Sequence, residues 1–270
     1  QGFSDRLLDD PEKGYVENFQ DYVDDLAILI DGHIRGLRGD LPVLGLAHSM
    51  GGAVMTMYAQ QNPGKLDALV LSAPMFEINF KGMTESTSFG LASTLNSEWY
   101  VNFYSLSGPY EPVAFESPDN EYTSSAPRFA ITQRVFEELY KEARLGSPTY
   151  GWAEQSIVGT RWLRACPAQY VGQDTSELDL DSVDEAVLEA MEEGRLPQCP
   201  AGTFDTPTLL LQPLGDTIVM LDAQTRFCDA ATNCRRMELP GSRHELLMEV
   251  DETRDAALSA ALDFLLASLE

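Results

Sequence analysis

Three residues of this 270-residue chain have the types and surroundings needed for nucleophilic acyl transfer: Ser49, Asp216 and His244. Ser49 lies in Ala47-His48-Ser49-Met50-Gly51, after the apolar run Pro42 to Ala47 and before a helical pattern through Ala53, Met57 and Tyr58. A serine on a tight strand-to-helix turn sits in a strained backbone conformation that pushes its Oγ out of the sheet. Small residues are expected two before and two after it, because the turning backbones nearly touch. Ala47 and Gly51 meet that need, with Ala in place of the commoner Gly. The following helix aims its first N–H groups at developing negative charge, so the Met50 N–H is the expected oxyanion donor.

A serine hydroxyl needs a general base, and histidine titrates in the right range. The chain has only three histidines, so elimination is informative. His48 adjoins the nucleophile and is expected to project away from it. His33 falls within the first helix. His244, in Gly241-Ser242-Arg243-His244-Glu245, lies in a loop between a strand and the last helix, a placement that delivers a side chain to the C-terminal edge of a parallel sheet. The acid should follow a strand between Ser and His. Leu209 to Gln212 is such a strand, and Asp216 follows it, with Asp222 in reserve. The order Ser, Asp, His is one of three known for such triads.

The elements that must position these residues read as an α/β fold: a mostly parallel sheet with helices on both faces. Phe19, Val23, Leu26, Ile30, Ile34 and Leu37 make one apolar face of a helix over about Asn18–Leu37. Buried strands are expected at Pro42–Ala47, Ala68–Ser72 and Pro207–Gln212, with a short one at Met237–Leu239. The alternation of strand, helix and strand calls for right-handed parallel crossovers. A final helix, about Glu252 to Ser268, would carry Ala257, Leu258, Ala261, Leu262 and Leu265 inward. Residues 1–75 and 207–270 thus form a core. Residues 76–206, rich in aromatics from Phe89 through Trp99 and Tyr100 to Trp162, read as an inserted helical cap. Helical segments are expected there near Arg128–Arg144 and Gly151–Ala165. Ser182 to Gly194 is an acidic amphipathic helix with Val183, Val187, Ala190 and Met191 on one side. Asp179, Asp181 and Asp184 lack the glycine and terminal Glu of a calcium loop and read as a solvated helix N-terminus.

Composition excludes several partners. With 43 acidic against 18 basic residues the formal charge is −25, which repels nucleic acid and anionic membrane surfaces. That charge suits a solubility or salt adaptation, or attraction of a cationic substrate into an acidic cleft. No apolar run is long enough for a membrane span. No signal peptide is visible. The four cysteines form no CxxC pair, and a zinc site is improbable beside so few histidines. Bridges Cys166–Cys199 and Cys228–Cys234 and buried free thiols fit the spacing equally. No metal and no cofactor is expected.

Four motifs in order, Ala-His-Ser-Met-Gly-Gly at 47–52, Ala73-Pro74-Met75-Phe76, the stretch Phe19 to Leu26, and Ser147 to Trp152, resemble the bacterial lysophospholipase L2 family. More broadly the chain is similar to monoacylglycerol-lipase-like α/β hydrolases. The resemblance implies a capped α/β-hydrolase fold cleaving the ester of a lysophospholipid or monoacylglycerol through an acyl-enzyme on Ser49, with Asp216 and His244 completing the triad. It also implies a small-molecule lipid ester as substrate, met by transient membrane contact through apolar cap residues. A short-chain carboxylesterase and a catalytically silent binding protein are the alternatives. Cytoplasmic or peripheral-membrane placement follows from the resemblance, and export would follow from paired cysteines; oligomeric state is left open. Residues 166–204 look like an insertion relative to the family. Gln1-Gly2-Phe3-Ser4 resembles the second half of an Arg-Gly-x-Gly-x-Ser segment that follows several strands in the family, so N-terminal strands are expected upstream of Gln1. Those strands normally carry the second oxyanion donor beside a His-Gly pair, and no such pair lies upstream of Ser49.

Overall fold

In a computed structural model, residues 2–95, 102–105, 108–168, 185–198 and 204–269 are described. Four parallel strands form one sheet in the order β1 (Leu44–His48), β2 (Ala68–Ser72), β3 (Thr208–Pro213) and β4 (Cys234–Leu239). The inner strands β2 and β3 are buried at every residue, as continuous apolar runs between two helical layers should be. β4 is longer than the expected Met237–Leu239, because Arg235 and Arg236 at a half-exposed edge break the apolar pattern.

α1 (Phe19–Ala27) runs through a π-helical turn, Ile28–Ile34, into α2 (Arg35–Arg38). The expected single helix is therefore continuous but changes register. The wider π turn rotates later residues off the apolar line, so Phe19, Val23 and Ile30 are buried while Leu37 is 82% exposed. α3 (Ser49–Gln61) follows β1 directly. α4 (Glu85–Leu95), rich in Ser, Thr and Gly, has little intrinsic helical signal. Its first residue, Glu85, is gripped by Arg161 (2.7 Å) and Arg164 (2.9 Å) of α6 (Tyr150–Ala168). Between them α5 (Ala126–Arg134) passes into a π turn, Val135–Leu139, and a 3₁₀ turn, Lys141–Ala143. α7 (Glu185–Glu192) buries Val187, Ala190 and Met191, in line with its expected apolar side. α8 (Leu221–Ala230) and α9 (Asp251–Ala267) complete the chain.

One apolar cluster joins α1, α3, α6, α7 and α8 on one face of the sheet, around Phe19, Met57, Tyr58, Trp162 and Phe227. The other face packs Val70, Leu209, Leu211 and Leu239 against Ala257 and Ala261 of α9. Leu262, expected inward, is 59% exposed. The helix turns Ala260, Phe264 and Leu265 toward the sheet instead.

Cys228 and Cys234 form a disulfide between α8 and the start of β4. Cys166 is also disulfide-bonded, whereas Cys199 of the expected Cys166–Cys199 pair lies outside the described residues. Trp99, Tyr100, Asp179, Asp181, Val183 and Asp184 also lie outside them. No described helix is long and apolar enough to cross a membrane, and no metal-binding cluster occurs among the described residues.

Candidate active site

The register His48↔Ser72 and Ser72↔Leu211 brings the ends of β1, β2 and β3 to one edge, with β4 ending alongside. Ser49 follows β1 with φ 50°, in the left-handed region that a non-glycine residue occupies only under constraint. The constraint comes from the next crossover. Ala73, itself at φ 46°, donates its N–H to Leu211 O (3.0 Å), and the Met75 N–H donates to Ser49 O (2.9 Å). The close backbone approach expected at Gly51 falls one residue later. A Cβ on Gly51 would meet nothing within 4 Å among the described residues, whereas on Gly52 it would lie 2.8 Å from Pro74 Cβ. Ala47 is buried, as required of the small residue before the turn.

Asp216 and His244 arrive on two loops that touch. Gly215 N–H donates to Ser242 O (2.8 Å), and a Cβ at Gly215 would sit 2.7 Å from that same oxygen. Only glycine lets the β3 loop come close enough to place its neighbour Asp216 against His244. His244 Nδ1 lies 2.7 Å from Asp216 Oδ2, and its Nε2 lies 2.8 Å from Ser49 Oγ. The tautomer that satisfies both contacts donates Nδ1–H to the carboxylate and accepts the serine proton at Nε2. The other carboxylate oxygen, Oδ1, accepts the N–H groups of Ile218 (2.8 Å) and Val219 (3.2 Å), so the acid cannot rotate freely. Both Asp216 and His244 are buried. Met50, second residue of α3, carries one of the N–H groups that a helix leaves without an intrahelical acceptor.

The sequence matches the Hydrolase_4 family, described as "Serine aminopeptidase, S33", over residues 1–169. It is 33% identical to the lysophospholipase L2 of Escherichia coli (strain K12) across 98% of this chain and 69% of that protein. The chain belongs to this hydrolase family. Among solved structures, a soluble variant of the monoglyceride lipase of Saccharomyces cerevisiae superposes with a TM-score of 0.61 at 14% identity, covering 96% of this chain and 73% of its own. The monoacylglycerol lipase of Paleococcus ferrophilus gives 0.58 at 16% identity, covering 93% and 76%. At such identities these two likenesses establish the α/β-hydrolase fold.

Within this family member the remaining sequence candidates separate cleanly. His33 is exposed, on the π turn, with Nδ1 near Ile28 O (3.3 Å). Asp222 is exposed in the first turn of α8. His48 departs from expectation. It does not project away from the centre, because Nδ1 is held by Ser72 O (3.1 Å) and Nε2 faces Glu245 Oε1 (3.1 Å). Its ring centroid therefore lies 4.7 Å from that of His244.

Sequence reasoning also missed what holds the histidine loop. Glu121 O and Tyr122 O accept the N–H groups of His244 (3.3 Å) and Glu245 (2.8 Å), a short ladder between that loop and residues 120–125. Buried Glu249 takes the N–H groups of Ser124 (3.1 Å) and Arg243 (2.9 Å) on one oxygen, welding the two segments. A run such as Ser242 to Glu249 carries no periodicity that could announce these contacts. Beyond the ladder a cavity of about 1110 Å³ opens, walled by Ile78, Leu91, Phe129, Phe136 and Trp152, with Tyr122 and Glu245 at the end nearest the triad. Ser49, Asp216 and His244 are not part of its wall.

Proposed function

We propose that the chain cleaves carboxylic esters of single-chain lipids, lysophospholipids or monoacylglycerols, with Ser49 as nucleophile, His244 as general base and then acid, and Asp216 as the group that orients and charge-balances the imidazole. One observation carries the reading: the hydrogen-bonded line Ser49 Oγ, His244 Nε2, His244 Nδ1 and Asp216 Oδ2, mounted on a strained serine at the sheet edge. In the reaction His244 takes the Ser49 proton as Oγ attacks the ester carbonyl. The oxyanion forms beside the Met50 N–H and the α3 N-terminus, and His244 returns the proton to the departing alcohol. Water, deprotonated by His244, then attacks the acyl-enzyme and releases the fatty acid.

The substrate class is supported by the names of the relatives and by the apolar wall of the cavity, large beside the roughly 300–1,000 Å³ of ordinary small-molecule sites. Residues 76–206 serve in this reading as the cap that encloses the acyl chain, and exposed apolar cap residues such as Phe103, Ile131 and Leu139 make transient contact with the lipid surface. Initial rates on nitrophenyl esters from acetate to palmitate test it. The proposal expects kcat/KM to rise with chain length and turnover of a lysophospholipid or monoacylglycerol. Activity confined to acetate and butyrate would instead identify a short-chain carboxylesterase.

A further inference from the structure

His48 immediately precedes the nucleophile and Glu245 immediately follows the base. Their side chains meet across the gap between the two loops, Nε2 to Oε1 at 3.1 Å. The oxygen lies off the ideal N–H line and Nε2 is shut off from solvent, so the contact is a close polar approach more than an aligned hydrogen bond. The opposite nitrogen, Nδ1, is 3.1 Å from Ser72 O at the end of β2. Both ring nitrogens of His48 face an acceptor oxygen on another loop. His48 thus ties together three loops that leave the sheet edge, those after β1, β2 and β4.

Resting on the Ser49 reading above, we propose that His48 and Glu245 are a positioning pair for the triad: a polar staple that fixes the face of His244 and its distance to Ser49. Neither residue touches the reacting atoms in this arrangement. Burial would raise the Glu245 carboxyl, but the contact with His48 and the charges of His48 and His244 outweigh it and hold it below the usual carboxylate range. Glu245 is therefore anionic wherever the enzyme works, and His48 faces it across the gap. The other charged and titratable groups here are few. Asp216 holds the far side of His244, Tyr122 and Glu121 come from the 120–125 segment, and Lys81 pairs with Glu121.

Replacing His48 by glutamine keeps a donor for Ser72 O but loses the ring that faces Glu245, and Glu245→Gln removes the carboxylate from the same contact. Each single variant, His48→Gln or Glu245→Gln, lowers kcat by about tenfold with little change in KM, since small misplacements of a base are costly. The double variant is no worse than the poorer single, because both lose one interaction.

The assay is steady-state kinetics of ester hydrolysis, kcat and KM separately, by the wild type, both singles and the double H48Q/E245Q, with Ser49→Ala alongside. Should His48→Gln fold poorly, Glu245→Gln, at a partly exposed position, carries the kcat arm. A kcat unchanged in either single variant, or fully additive losses in the double, would overturn the staple while leaving the triad intact. Activity persisting in Ser49→Ala would overturn the triad reading instead.

Discussion

The sheet edge and the helix-lined cavity beside it are built with different forces. At the edge, each triad atom has a directional partner: Oγ on Nε2, Nδ1 on Oδ2, and Oδ1 on two backbone N–H groups. The loops bearing them are themselves bonded to each other, Gly215 to Ser242 and the Glu121–Tyr122 backbone to His244 and Glu245. The cavity wall is held differently, by helices α4 and α6 cross-braced through Glu85, Arg161 and Arg164, and it mixes apolar residues such as Leu91 and Trp152 with polar ones such as Gln133 and Glu121. Position is therefore specified atom by atom at the edge, whereas the cavity mainly specifies a volume with a largely apolar wall. In the proposed reaction the chemistry needs the first, and binding of an acyl chain would need only the second.

The contrast breaks most sharply at Asp216. Asp216→Asn would leave the loop geometry in place yet present the wrong tautomer to Ser49, lowering kcat on the order of 10⁴-fold. Asp222→Asn, exposed on α8, should leave kcat unchanged, and steady-state kinetics on the two variants decides between them. A smaller loss, about 10²-fold, is expected for Gly215→Ala, because a Cβ 2.7 Å from Ser242 O must push the acid loop off the base loop. Its KM for a long-chain ester should hardly move, which kinetics across ester lengths would show.

The cavity should behave in the opposite manner. Val113→Trp, a half-buried wall residue, should lower kcat/KM for palmitate esters by about tenfold and leave acetate esters untouched, since pocket volume discriminates only modestly. A loss shared equally by all chain lengths would mean that the cavity and the edge are not separable. The smallest effect on rate belongs to the disulfide remote from both. Replacing Cys228 and Cys234 by serine should cost about 2 kcal/mol of stability, read by denaturant melts, with kcat retained.

The same division explains what was legible in the sequence. β2 and β3 announced themselves as uninterrupted apolar runs, and the strand-to-helix turn marked Ser49 without any knowledge of its partners. With three histidines, elimination pointed to His244 and place after a strand pointed to Asp216, and the structure brings both into line with Ser49. What stayed hidden depends on tertiary partners. α4 has a composition that does not favour a helix and owes its placement to two arginines of α6. The π turn at Ile28–Ile34 shifted the apolar face away from the 3.6-residue line. The tight glycine was Gly52 rather than Gly51, because the crowding comes from Pro74, more than twenty residues downstream. His48 was expected to face away, since nothing in the local sequence reveals that Glu245 is waiting for it across the gap.

The central claim is that Ser49 is a nucleophile activated by His244, and covalent labelling tests it most directly. Incubation with a fluorophosphonate probe, followed by peptide mass spectrometry, should place a single adduct on Ser49. The adduct should vanish in Ser49→Ala and form on the order of 10³-fold more slowly or worse in His244→Ala. An adduct on any other serine, or labelling of Ser49 undiminished by loss of His244, would contradict the account.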